Sequence, residues 1–315
     1  MTLEVVEIED GATGSKARVL PGLGFNCYSF EAAGDGPPIE VLWSAPRFTS
    51  GTERPTRSGI PILFPFAGRV RGTSFEYGGQ RYALEVGDDF GNAIHGFVLN
   101  RPWRVVAHDR QRVVGEFQAS VDDRTLLERW PADFRIRVAY EIAANRLRCL
   151  IQIENPDRVP LPFTLGTHQY FRVPLGSGGR AEGCRVKVPV ERQWELKGLL
   201  PTGRMLPAEV GPRLSAGMPF GDTQLDDVFT GLAYDDGQAT TSVHDPHSQR
   251  TMTMTFDDQF RHCVVFNPPH REAICIEPYT AAPNAFELEQ QGIRSGLRTL
   301  APGQTFEARI DMQVE

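Results

Sequence analysis

In Phe134-Arg135-Ile136-Arg137-Val138-Ala139-Tyr140-Glu141-Ile142 the large apolar residues take every second place. After Ala143-Ala144-Asn145-Arg146 the pattern resumes, with Leu147, Cys149, Ile151 and Ile153 on one face. A period of two belongs to a strand with one buried face. The segment therefore predicts a β-hairpin packed on a core, with Arg135, Arg137, Glu141, Arg148 and Gln152 on its polar side. Shorter stretches of the same kind recur at 17–20, 26–31, 81–86, 103–108, 113–120, 161–166, 185–190, 251–256, 263–266 and 273–276. Long helical periodicity is absent, and only 124–130 reads as a short helical turn, closed by Pro131. Short strands separated by Gly, Pro, Asn and Asp predict an all-β protein built as a large antiparallel β-sandwich.

The 31 Gly and 24 Pro are spread along the chain rather than gathered into a linker. With no internal repeat or low-complexity tail, one domain over residues 1–315 is expected. The segment 198–221 is rich in Pro and Gly and reads as a long irregular loop, a lid or rim. At 40% hydrophobic residues the chain can build a substantial core. A net charge of −7, with Arg scattered among acids, argues against a nucleic-acid partner. No apolar run approaches the roughly 20 residues of a membrane helix. The first residues carry neither a basic nor an apolar signal region, so a cytoplasmic protein is expected. Five widely spaced cysteines without a Cys-x-x-Cys fit free thiols, not a metal site.

Alternation in Ala273-Ile274-Cys275-Ile276-Glu277 sends the isoleucines to one face and Glu277 to the other, beside small residues. Pro278 is expected to break the strand there. Glu277 is then either a surface carboxylate or a partly desolvated base. His168 follows Phe163-Thr164-Leu165-Gly166-Thr167 and shares a face with Gly166 and Tyr170. It is either a hydrogen-bonded core histidine or a general acid–base group, and Gly166 leaves room for something to approach, a ligand being one choice. His95 lies in the glycine-bearing loop Asn92-Ala93-Ile94-His95-Gly96. Arg69, after the apolar run 61–67 and Gly68, is either a surface arginine or an anchor for a hydroxyl. Asp226-Asp227, ahead of Val228, is either a turn or a hydrogen-bonding site for sugar hydroxyls. His244-Asp245-Pro246-His247 reads as a solvated loop rather than a ligand set. Asp88-Asp89 and the other Asp pairs read as turn residues.

Together these segments resemble one family, the aldose 1-epimerases (galactose mutarotase-like proteins). Ala17–Gly24, Gly59–Pro65 with Gly68-Arg69, and His95-Gly96 with Trp103 are similar to its opening strand, arginine segment and first histidine segment. Gly72, Phe75, Gly79, Tyr82 and Leu84 fit the hairpin after the arginine. Trp130-Pro131 through Asn155 resembles its central hairpin. His168-Gln169-Tyr170-Phe171, Leu225-Asp226-Asp227-Val228-Phe229, Ile276-Glu277-Pro278-Tyr279-Thr280 and 300–304 resemble its second histidine, aspartate, glutamate and closing motifs. The resemblance implies a galactose mutarotase-like supersandwich with its site on a concave face. It implies Glu277 as general base, His168 as general acid and His95 as assistant. Arg69 and Asp226 would bind the sugar, with Tyr170 as a further contact; Asp227 competes with Asp226 for the aspartate position. No metal or cofactor is implied. Gly68 stands where the family often has asparagine, and Gln169 and Arg172 also depart from the galactose type, which leaves the substrate open.

The implied reaction is isomerisation of a small-molecule sugar: an ionised Glu277 and a protonated His168, on opposite sides of a hexose ring, open and reclose it. Two alternatives share the fold, a hexose-6-phosphate 1-epimerase, with Arg71 and Arg172 as phosphate candidates, and a sugar-binding protein without turnover. A glycosidase using Asp226 and Glu277 would need its carboxylates to flank the scissile bond.

Overall fold

The computed structural model describes residues 3–34 and 36–315. Two large antiparallel sheets form the sandwich. The first has ten strands, ordered Arg104–His108, Arg112–Gln118, Arg135–Ala143, Arg146–Glu154, Thr305–Val314, Arg250–Asp257, Gln238–Asp245, Arg185–Lys187 and Met218–Pro219, with Tyr234–Asp235 beside Gln238–Asp245. The second has eight, ordered Leu200–Pro207, Val190–Lys197, Asp226–Leu232, His262–Phe266, Ala273–Tyr279, Gly166–Thr167 and Ile62–Leu63, with Gln169–Arg172 also paired to Ala273–Tyr279. A four-stranded sheet, Val6–Glu9 to Gly36–Glu40, precedes them. This is the large antiparallel β-sandwich that the alternation predicts.

The hairpin read from sequence is regular. Arg135 pairs with Glu154 and Ala143 with Arg146, without a register shift. Its inward residues Ile136, Val138, Ile151 and Ile153 join Phe229, Val265, Ile274 and Ile276 of the other sheet in one apolar cluster. That cluster is the core. Each fully buried aliphatic side chain contributes about 1.5–3 kcal/mol of transfer free energy. The opposite face of the eight-stranded sheet is left for the site.

Two expectations are corrected. Pro278 does not end its strand, which continues to Tyr279 with Pro278 opposite Cys263. A proline removes a ladder donor, but here the strand on the other side is itself interrupted. Gly166 pairs with Tyr279 and Gln169 with Ile276, and His168 stands in the gap between the two short strands. The missing N–H therefore falls where the neighbouring ladder is already broken. The segment 198–221 is not an irregular loop: it holds the strand Leu200–Pro207, the helix Gly211–Ala216 and the strand Met218–Pro219. Its glycines and prolines mark boundaries between short elements. Only the hairpin tip at Leu199, with Leu196, reaches the rim of the cavity described next.

Candidate active site

Cross-strand register builds the floor of the site. Val228, Val264 and Glu277 lie opposite one another in one row. Asp226, Phe266, Cys275 and Tyr170 form the row on one side of it. Thr230, His262, Tyr279 and Gly166 form the row on the other. A cavity of about 420 Å³, large enough for a monosaccharide, is lined from these rows by Val228, Val264, Glu277, Asp226, Phe266, Tyr170 and Tyr279. Glu277, His168, His95, Arg69, Asp226 and Tyr170 all line it, so the six residues singled out from sequence converge. Asp226 reaches the cavity and Asp227 does not, since neighbouring strand residues point to opposite faces.

His168 Nε2 lies 3.3 Å from Glu277 Oε1, with side-chain exposures of 8% and 2%. The other carboxylate oxygen, Oε2, accepts a hydrogen bond from Tyr279 Oη at 2.8 Å. The imidazole of His168 stacks on Tyr170, ring centroids 4.8 Å apart and planes 6° from parallel. Tyr170 Oη donates to the Thr56 carbonyl at 2.8 Å, so its proton is committed and its ring holds His168. His95 meets His168 edge-on at 5.6 Å. The Nδ1 atoms of both histidines are buried without a protein partner. Such orphans are uncommon and ask for an explanation, and a bound polar ligand is one.

His95 is placed by a two-strand ribbon. Arg69 pairs with Ile94, and the His95 N–H donates to the Gly68 carbonyl at 2.9 Å. The backbone of His95 is left-handed, φ 67°, a conformation non-glycine residues seldom adopt. The next residue, Gly96, must be glycine: a Cβ there would lie 2.1 Å from the Phe64 carbonyl oxygen. Arg69 Nε is held by Asp88 Oδ2 at 2.9 Å. Among the described residues its Nη groups have no partner. Asp88 also accepts from the Phe90 and Asn92 N–H groups, so the turn reading holds and the residue has a second duty at Arg69.

Burial sets the proton balance. It pushes the Glu277 carboxyl well above the usual range; Tyr279 opposes this, Asp226 adds to it and Arg69 opposes it. It pushes His168 down to about 3. It pushes His95 well below its ordinary value, helped by the charges of His168 and Arg69. Desolvation by the cavity walls also raises Asp226, against Arg69. Burial thus disfavours both charged forms, the Glu277 carboxylate and the His168 imidazolium. The two groups are side by side rather than on opposite sides of a ring.

Three other expectations change. Gly166 makes room for protein, not ligand: a Cβ there would sit 2.6 Å from Tyr279 Cδ1. Arg71 is ion-paired to Glu287 outside the cavity, and Arg172 does not line it. Arg54, Arg57 and Arg101 do line it, as do Val86 and Phe90 of the rim. His168, Cys275 and Glu277 could in principle hold a metal, their ligand atoms lying within 4.8 Å of one another. Burial pushes the Cys275 thiol well above its ordinary value. Sequence reasoning missed Tyr279 and Asp88. Tyr279 was within reach, because it shares the alternation phase of Glu277.

Comparison with known proteins gives a consistent result. The family model described as aldose 1-epimerase matches residues 6–313. The YphB protein of Escherichia coli strain K12 is 26% identical over 300 residues, 90% of this chain and 95% of that protein. A galactose mutarotase-like protein of Clostridium acetobutylicum superposes with a TM-score of 0.86 at 22% identity, covering 100% of this chain and 99% of that one. The galactose 1-epimerase of Lactobacillus acidophilus NCFM superposes at 0.73 and 18% identity, covering 100% and 99%. At these identities the structural matches establish the fold.

Proposed function

The chain belongs to the aldose 1-epimerase family, and from that premise we propose that it interconverts the α and β anomers of a hexose by acid–base opening and reclosure of the ring. The observation that carries this reading is the buried contact between His168 Nε2 and Glu277 Oε1, at 3.3 Å, on the floor of a monosaccharide-sized cavity.

The C1 hydroxyl and the ring oxygen are bonded to the same carbon, so two adjacent groups sharing one proton can serve both. The proton crosses from Oε1 to Nε2, leaving a carboxylate near Arg69 and an imidazolium. Glu277 takes the C1 hydroxyl proton as His168 protonates the ring oxygen. The C1–O5 electron pair leaves with O5, and the carbonyl forms at C1. Rotation about C1–C2 and closure with the roles exchanged gives the other anomer. Arg69 and Asp226 hold hydroxyls, and His95 assists from the far side of His168. Arg69 has free donors and Asp226 free acceptors, which suits neutral polyols.

A hexose 6-phosphate is the second reading. Arg54 and Arg57 line the cavity and favour it, whereas Glu85, Asp88, Asp89 and Asp226 also line it and weigh against an anion. The test is polarimetry on freshly dissolved α-D-glucose and α-D-galactose, with glucose 6-phosphate followed by an anomer-specific coupled assay. Faster equilibration of any one supports the epimerase, and the fastest names the class. No acceleration with any of them leaves the same fold as a binding protein and overturns the proposal.

A further inference from the structure

We infer that Tyr279 is a positioning residue for the general base: its hydroxyl fixes the Glu277 carboxyl so that Oε1, and not Oε2, is presented to His168 and the anomeric centre. The inference rests on the acid–base reading of Glu277 and goes beyond it, since Glu277 by itself does not specify which oxygen works.

Each carboxylate oxygen has one partner. Oε2 takes the Tyr279 hydroxyl at 2.8 Å, and Oε1 faces His168 Nε2 at 3.3 Å. A carboxyl on a two-bond stem otherwise turns freely about its last torsion, which is broad and two-fold. The Tyr279 hydrogen bond pins that torsion, and it strengthens when the proton leaves Glu277 and the acceptor becomes charged.

Tyr279 is in turn held by a slot made for it. The residue is 1% exposed. Gly166 faces it across the ladder, and a Cβ there would meet the ring at 2.6 Å. A Cβ at Gly68 would lie 3.3 Å from Tyr279 Cε2. Leu63, Ala67, Val264 and Leu99 pack around the ring in the same apolar cluster. At Gly68 a Cβ would meet Pro283 first, at 2.7 Å, so the slot for the ring is set chiefly by Gly166, in the segment that leads to His168.

The charged and titratable groups around Glu277 are His168, Asp226, Arg69, Cys263, Cys275 and Tyr170, in addition to Tyr279. Of these Tyr279 alone donates a hydrogen bond to Oε2. Its donation favours the ionised carboxyl, against burial. Removing it should raise the pH at which the pair loses its proton.

The experiment is a double-mutant cycle of Tyr279→Phe and Glu277→Gln, with kcat and KM measured against pH for whichever hexose the protein equilibrates. Tyr279→Phe should lower kcat by about 10- to 100-fold, the scale of one hydrogen bond to a charged group. KM should change little, and the alkaline limb should move to higher pH. In the Glu277→Gln background the same change should add almost nothing, because Tyr279 acts through Glu277. A tyrosine that merely packs would leave the pH limb in place and give additive losses, which overturns the inference. Should Tyr279→Phe fold poorly, 3-fluorotyrosine placed at 279 keeps the shape and strengthens the donor. The alkaline limb should then move to lower pH, and an unmoved limb overturns the inference. If Glu277→Gln alone retains turnover, the acid–base reading fails instead, so the two failures are separable.

Discussion

At the scale of single residues, the alternation of Ala273–Tyr279 brought Glu277 to the correct face, and the family motifs brought His168, His95, Arg69 and Asp226 to the same cavity. Glu277→Gln keeps the shape and removes the base. Turnover is expected to fall by about 10²–10⁴-fold, with sugar binding retained, as read by polarimetry and titration calorimetry. Near-normal turnover would remove Glu277 from the chemistry. The pH profile follows from the proton balance. The pair works while it holds one proton. A second proton is resisted until His168 titrates, at about 3. The first is lost only above the usual carboxylate range, because the Glu277 carboxyl is raised. Activity after a brief pH jump should therefore show no acidic limb from His168 near 6.5. An acidic limb at pH 6–7 would mean that His168 is not desolvated during catalysis. These charge states were not legible in the sequence, since they depend on how completely the floor is buried. Nor was the side-by-side contact, which needs the break between Gly166–Thr167 and Gln169–Arg172.

At the scale of elements, strands with clean alternation, such as Arg135–Ala143 and Arg146–Glu154, were legible because one face is core and the other solvent. The strands Val190–Lys197, Leu200–Pro207 and Asp226–Leu232 were not, because burial along them does not alternate with period two. Pro278 misled for a related reason. A proline rule written for unbroken ladders does not apply where the neighbour is interrupted. The loop carrying His95 makes the element-scale prediction. Gly96 has φ +77°, and a Cβ would press on the Phe64 carbonyl. Gly96→Ala should destabilise the protein by more than about 1 kcal/mol, from left-handed strain and the clash together. It should also displace His95 and lower kcat. Thermal melting and polarimetry on the variant test both. An unchanged melting temperature would show that the loop can relax, and that its glycine is not what fixes His95.

At the scale of the whole molecule, the fold stores neutral histidines in its interior, and acid should find them. His95, His168 and His262 are buried, and burial pushes all three below the ordinary value, His262 to about 4 and His168 to about 3. As pH falls through about 6.5 the unfolded chain protonates these rings while the folded one does not. The unfolded state then binds more protons, so stability present above pH 6.5 is lost on the way down to the folded pKa values. Glu277 has the opposite sign. Its raised pKa means that the folded state keeps a proton the unfolded state has lost between about 4.5 and the folded value, so its contribution grows as pH falls through that window. The buried histidines and the desolvated carboxyls pull in opposite directions, and the histidines, which titrate nearest neutrality when unfolded, are expected to leave a net loss of stability between pH 6 and 5. Urea unfolding at pH 7, 6 and 5 measures it directly. His262 packs on Trp194, ring centroids 6.1 Å apart, and does not line the cavity. His262→Gln should therefore flatten the fall by roughly one histidine's share, about 1.4 kcal/mol per pH unit, without altering the activity profile. A stability that stays level from pH 7 to 5 in the unmodified protein would mean that the interior admits protons more readily than its packing implies.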